Sequence, residues 1–450
     1  MIGKAPFARS RRSQAGAAPM AYYSPARDRS AAQLGDVFSV LVALATLGIY
    51  FITLDPFSSL SDASTALVET TGRLASTYIT CFILAVVSFL IIALRGDIGR
   101  VLAGTAPVII LSGWLFFSVL YSSDPATSAQ RLTLSLVTYA LAAVLPWLTR
   151  GMHQFANLLL IAASSVVVLS YLGIALLPHL AVHQATDLLE TALAGDWRGI
   201  YQQKNEAAMM MVVCAYIGLL AARTGKPLIG VPIAIAALVF LPFSGGKSAF
   251  GLVFIASGLA YMVARCQSFW WRAVIAFGPL ALIGLLTVGS VMSETVMSIL
   301  NLLPIDPTFT GRSGIWEFAI NAARQNYLTG YGFEAFWHSA TIESGSEGTG
   351  WERFAHTSHN GFLDMALTIG LPGLALLVIA FVITPLRDFQ RTLPTPENET
   401  LAYFFLNLWL FMLYHNMFEA FFLSRADPMW FALALATCGL RYTARYAARV

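Results

Sequence analysis

An all-α fold, a bundle of membrane-spanning helices, is what this chain predicts, on three observations. Hydrophobic residues make up 57% of its 450 residues and charged ones only 11%, with a mean hydropathy of +0.68. The apolar residues gather in runs of the length a bilayer demands, roughly 17–25 residues each. The basic residues are distributed unevenly between the loops that separate these runs.

Residues 1–35 are basic and rich in Ala, Ser and Pro, which predicts a disordered cytoplasmic tail. Arg11-Arg12 resembles a twin-arginine export signal, but the apolar stretch starts too far downstream and many more spans follow, so no cleaved leader is expected. Apolar windows lie near 37–54, 74–94, 101–121, 130–149, 155–178, 207–222, 228–243, 247–264, 273–289, 359–385, 401–423 and 428–440. They predict about twelve transmembrane helices. The last window is short, and 228–264 is divided only by Ser244-Gly245-Gly246-Lys247, which leaves ten or eleven open. The expected organisation is tail 1–35, N-terminal helices 36–178, an outer loop with the middle helices 179–289, a large outer loop 290–358, and C-terminal helices 359–445.

With the tail in the cytoplasm, every other loop is cytoplasmic, and these segments hold 18 of the 27 Lys and Arg residues. Both termini are then cytoplasmic. The exceptions (Arg73, Arg131, Arg198, Lys204, Lys247, Arg312, Arg324, Arg353 and Arg425) fall on the outer side, where an anionic phosphate would explain a retained cation. Two outer loops are large, 179–206 and 290–358. In the second, Ile315, Phe318, Ala319 and Ala322 recur at helical spacing and predict an amphipathic helix over 311–327, and ESGSEGTG at 343–350 reads as a flexible connection. Cys81, Cys214, Cys266 and Cys438 show neither CxxC nor His-Cys ligand spacing, so the sequence indicates no metal site and no disulfide framework. The net charge of +3 carries little information in a membrane protein, and no nucleic-acid partner is indicated.

The candidate chemistry lies around the outer loops. His359 and Asn360 stand at the expected start of an apolar helix, with Gly370 and Gly373 further along it. At about 100° per residue both glycines fall on the stripe below the histidine, a groove open to another helix or an isoprenoid chain. The plainer reading is that the glycines pack helices and His359 caps one. Arg312 follows Gly311 where a helix should begin, and a guanidinium beside free N–H groups suits a phosphate. The alternative is a solvated arginine paired with Glu317 or Glu334. Arg198 and Lys204 belong to the run from Asp196 to Asn205, which includes Trp197 and Tyr201, directly before the sixth span, and read either as phosphate ligands or as interfacial anchors. His415 and Glu419, four apart with Asn416 between, predict a polar face in the outer half of the eleventh span. That face either bonds within the bundle or lines a cavity.

These elements resemble the O-antigen ligase and O-antigen polymerase superfamily of bacterial inner-membrane proteins. The likeness rests on Arg198-Gly199 through Lys204-Asn205, Gly311-Arg312 with Ile315-Trp316, Gly330-Tyr331-Gly332, and His359-Asn360 followed by Gly370 and Gly373. It covers roughly 195 to 425. The resemblance implies transfer of a glycan from undecaprenyl diphosphate to a sugar hydroxyl at the periplasmic face, without metal, cofactor or nucleotide sugar. The acceptor is lipid A-core in ligases and another lipid-linked glycan in polymerases, and members acting on exopolysaccharide are known. On this reading Arg198, Lys204 and Arg312 bind the diphosphate, and His359 is the general base. Asn360, Gly370, Gly373, His356, His415 and Glu419 support them. His356, three residues before His359, leaves the identity of the base open between the two. A transporter or flippase of the same lipid-linked sugars would instead need charged residues near mid-bilayer. Few are present, Glu419 being the main one. A non-catalytic scaffold for polysaccharide export is a third reading.

Overall fold

The structure is a computed structural model that describes residues 27–58, 63–187, 193–302, 306, 308–309, 311–337 and 355–446. Among them the chain is a helical bundle whose one β feature is an isolated antiparallel bridge between Val182 and Trp197. In chain order the helices are α1 (Arg27–Leu47), α2 (Ala63–Leu94), α3 (Ile98–Gly104), α4 (Ala106–Leu120), α5 (Pro125–Val144) and α6 (Met152–Leu176). Then come α7 (Pro178–Ala181), α8 (Lys204–Arg223), α9 (Pro227–Phe243), α10 (Lys247–Arg265), α11 (Phe269–Leu286) and the short α12 (Val288–Met292) and α13 (Glu294–Leu300). The chain ends with α14 (Arg312–Gln325), α15 (Gly361–Val378), α16 (Thr384–Gln390), α17 (Pro396–His415) and α18 (Pro428–Arg445).

Eight helices among the described residues are long and apolar enough to cross a membrane. The expected windows at 101–121 and 228–243 meet the shorter apolar helices α4 and α9, and those at 401–423 and 428–440 meet α17 and α18. Each window therefore finds a helix, and eight of these helices are long and apolar enough to span among the described residues. Helix α1 also reaches back to Arg27, inside the stretch read as a tail; residues 1–26 and the 343–350 connection lie outside the described residues.

Burial sorts the helices. α2 and α11 present Ile79, Phe82, Leu90, Val274 and Leu282 outward, as lipid-facing surfaces do. α17 is enclosed on all sides, every residue from Phe404 to His415 being buried. A helix in that position has no lipid to face, so its polar atoms must be satisfied by neighbours. Trp409 donates to the Phe381 carbonyl at 2.8 Å and Tyr414 to the Ala276 carbonyl at 2.9 Å. α8 and α9 pack where Gly218 and Gly230 face each other's backbone, and a Cβ on either would overlap it.

The two ends of the bundle differ. At one end Arg95 binds Asp36, Ser39 and the Trp147 carbonyl, and Arg441 pairs with Asp388 at 3.0 Å. At the other the turn after α17 meets α14, the start of α8 and the segment before α15. The amphipathic helix predicted within 311–327 is α14. It buries Ile315 and Ala319 against Leu367 of α15, together with Phe336 and Trp337.

Candidate active site

The segment before α15 is held rigidly. Asn360 caps the helix, its side-chain oxygen accepting from the Phe362 and Leu363 amides at 3.1 Å each, while its own amide group donates to the Met417 carbonyl at 3.3 Å. Ser358 is anchored twice more: its amide donates to Asp364 Oδ1 at 2.8 Å, and Trp316 Nε1 donates to its carbonyl at 2.9 Å. Between these two fixed residues His359 adopts a left-handed backbone with φ of 50°. A non-glycine residue there costs on the order of 1–3 kcal/mol, which the flanking bonds sustain. The helix thus begins at Gly361, not at His359 as the sequence suggested.

Glu419 joins the site together. α17 ends at His415, and one further turn, closed by the Glu419 amide donating to the His415 carbonyl at 3.0 Å, carries the carboxylate over the helix end. Glu419 Oε2 meets His359 Nδ1 at 3.0 Å, and Oε1 accepts from Arg312 Nη2 at 3.0 Å and from Asn205 Nδ2 at 3.3 Å. Arg312 also donates through Nη1 to the Phe418 carbonyl at 2.6 Å. It opens α14 directly after Gly311, whose φ of 86° makes the turn that points the helix start inward. Burial alone would raise the Glu419 carboxyl, but the hydrogen bond from His359 and the charge of Arg312 outweigh it and hold the group below the usual glutamate range. A carboxylate on Nδ1 fixes the ring and leaves Nε2 for a partner outside the protein. The His359 side chain keeps 37% of its surface exposed, so the imidazole is accessible from outside the protein.

Lys204, the first residue of α8, pairs with Asp196 at 2.5 Å, and its neighbour Asn205 touches Glu419, so Lys204 stands at the same end of the bundle. Arg198 differs from expectation. It is 1% exposed and donates to the carbonyls of Tyr201, Gln202 and Ser58, so it braces the turn leading to Lys204 instead of presenting an open cation. His356 is exposed in non-helical chain, and does not share a helix face with His359. His415 is buried beside Phe411, beneath the turn that carries Glu419. The expected glycine groove is filled: Gly370, at φ 68° and ψ 177°, breaks the helical path, and a Cβ there would overlap the Leu328 carbonyl. Gly373 receives the Trp114 indole, which donates to the Ile369 carbonyl at 2.8 Å. Both glycines admit protein, not lipid.

Sequence reasoning grouped Arg198, Lys204, Arg312 and His359, with Glu419 as a supporting residue, but missed Asn205 as a contact and Asp364 as an anchor. Asp364 accepts from the Ser358 amide and from Trp337 Nε1 at 3.1 Å, and its place in the first turn after Asn360 was the available signal. Glu334 is not the Arg312 partner; it pairs with Arg131.

Residues 232–378 match the family described as O-antigen ligase. The chain is also similar to the exopolysaccharide production protein ExoQ of Rhizobium meliloti (strain 1021), 30% identical over 147 residues. That match covers 31% of this chain and 32% of the relative, so it spans about a third of the relative's length. The family match takes in Arg312 and His359 and stops short of Glu419, while Lys204 and Asn205 precede it.

Proposed function

We propose that this membrane protein, whose residues 232–378 match the O-antigen ligase family, transfers a glycan from undecaprenyl diphosphate to a sugar hydroxyl at the periplasmic face of a bacterial inner membrane. The observation that carries the reading is the single carboxylate, Glu419, that holds a guanidinium and an imidazole side by side. In the proposed reaction the acceptor oxygen bonds to the anomeric carbon as the bond from that carbon to the diphosphate oxygen breaks, inverting the centre. His359 Nε2 takes the hydroxyl proton, and Glu419 steadies the imidazolium that results. The departing diphosphate gathers negative charge, so Arg312, with Lys204 behind it, favours the transition state over the ground state. Arg198 contributes by fixing the turn that carries Lys204. The likeness to an exopolysaccharide production protein favours another glycan over lipid A-core as acceptor.

Purified protein given undecaprenyl-diphosphate glycan and acceptor should yield extended glycan and free undecaprenyl diphosphate. Neither a transporter nor a scaffold makes that product. Arg312→Ala and His359→Ala should each lower the rate by about 10²–10³-fold, the scale for losing a charge-stabilising donor or a general base. Near wild-type turnover in either folded variant would discard the assigned roles.

A further inference from the structure

A second group of charges lies beyond the His359 site, and nothing in the reaction above uses it. Arg131, in the second turn of α5, is 7% exposed, donates to the Glu334 carbonyl at 2.6 Å and lies 3.7 Å from its carboxylate. Arg425, half-buried in the connection between α17 and α18, makes no hydrogen bond or ion pair among the described residues, yet its charge acts on both Arg131 and Glu334. Asp427 caps α18 through Oδ1, which accepts from Met429 and Trp430. It too acts on Glu334, as does Asp364, which in turn feels His359. The cluster therefore adjoins the imidazole through Asp364, which accepts from the Ser358 amide next to His359 as well as from Trp337. Glu334, Leu423 and Ala426 hold left-handed backbones with φ of 50°, 58° and 49°, so the chain is bent on both sides of these charges.

The sign of the cluster selects its ligand. The charges of Arg131 and Arg425 are offset by those of Glu334 and Asp427, with Asp364 and Asp124 also acting on the group, so it offers a diphosphate no net positive charge. Alternating donors and acceptors instead suit a polyol: carboxylate oxygens accept from hydroxyl groups and guanidinium N–H groups donate to ring and hydroxyl oxygens. We propose that Arg131, Glu334, Arg425 and Asp427 form the subsite for the acceptor sugar, with Arg425 as the group that gains its partner when the sugar binds. This rests on the glycosyl-transfer reading and adds where its second substrate sits.

Initial rates test it, with glycan repeats on undecaprenyl diphosphate as donor and the same repeat, released from its carrier, as acceptor. Arg425→Gln should raise the acceptor KM about tenfold, the loss of one charge-assisted hydrogen bond, with the donor KM unchanged. Glu334→Gln should move the acceptor KM the same way. Arg425 bonds nothing within the described protein, so its variant tests the idea even if the Glu334 variant folds poorly. Wild-type turnover with an unchanged acceptor KM in Arg425→Gln, or a shifted donor KM, overturns this inference alone. Wild-type protein that releases no undecaprenyl diphosphate overturns the transfer reading and this subsite with it.

Discussion

Glu419 places three partners on two oxygens, so its charge and its shape can be separated by substitution. Glu419→Gln keeps the size but removes the negative charge that favours the imidazolium, and we expect roughly a 10–100-fold loss in kcat, below the ~10²–10⁴-fold range for losing a general base itself. Glu419→Ala should lose more and also destabilise the fold, since among the described residues Arg312 then keeps only the Phe418 carbonyl. Equal kcat in the Gln variant and wild type would remove Glu419 from the mechanism. The pH sign follows from its depressed carboxyl: the paired, charged state exists above that lowered value and is lost as pH falls through it, so Glu419 places no inactivation within the ordinary glutamate range or above it. His359 and Arg312 were legible in the chain because each sits where an outer loop meets a helix. The role of Glu419 was not, since its partners lie 60 and 107 positions away, a separation no local pattern encodes.

At the scale of elements, hydropathy located the helices but not their ends or breaks. An apolar run says that a segment avoids water; it does not report where a carbonyl turns or a φ changes sign. Reading 401–423 as one helix put His415 and Glu419 on one face, whereas the helix stops at His415. In α15 the same blindness turned Gly370 into part of a stripe, although its backbone leaves the helical region to admit the 328–329 chain. Only glycine adopts that conformation without strain, so Gly370→Ala should cost on the order of 1–3 kcal/mol and lower the thermal midpoint of the detergent-solubilised protein. Gly258→Ala is the comparison, because a Cβ there meets nothing within 4 Å and helical alanine is favoured over glycine. A Gly370→Ala midpoint no lower than that of Gly258→Ala would mean the break is not required.

The whole molecule is polarised, and the reaction depends on which pole faces out. One end gathers Arg95, Arg441 and Arg272 around Asp36, Asp388 and Gln390; the other holds Arg312, Lys204, His359 and Glu419. Cytoplasmic cations are retained by the rule that governs insertion, whereas cations on the far side need a ligand to hold them there. Two positions read the orientation directly. Cys266 lies at the first end, where its carbonyl accepts from Arg272, and is partly exposed; Gln325 is exposed at the end of α14. In spheroplasts a membrane-impermeant maleimide should label a cysteine introduced by Gln325→Cys and should reach Cys266 only after lysis. Labelling of Cys266 in intact spheroplasts would put Arg312 and His359 in the cytoplasm, where the proposed periplasmic transfer could not take place.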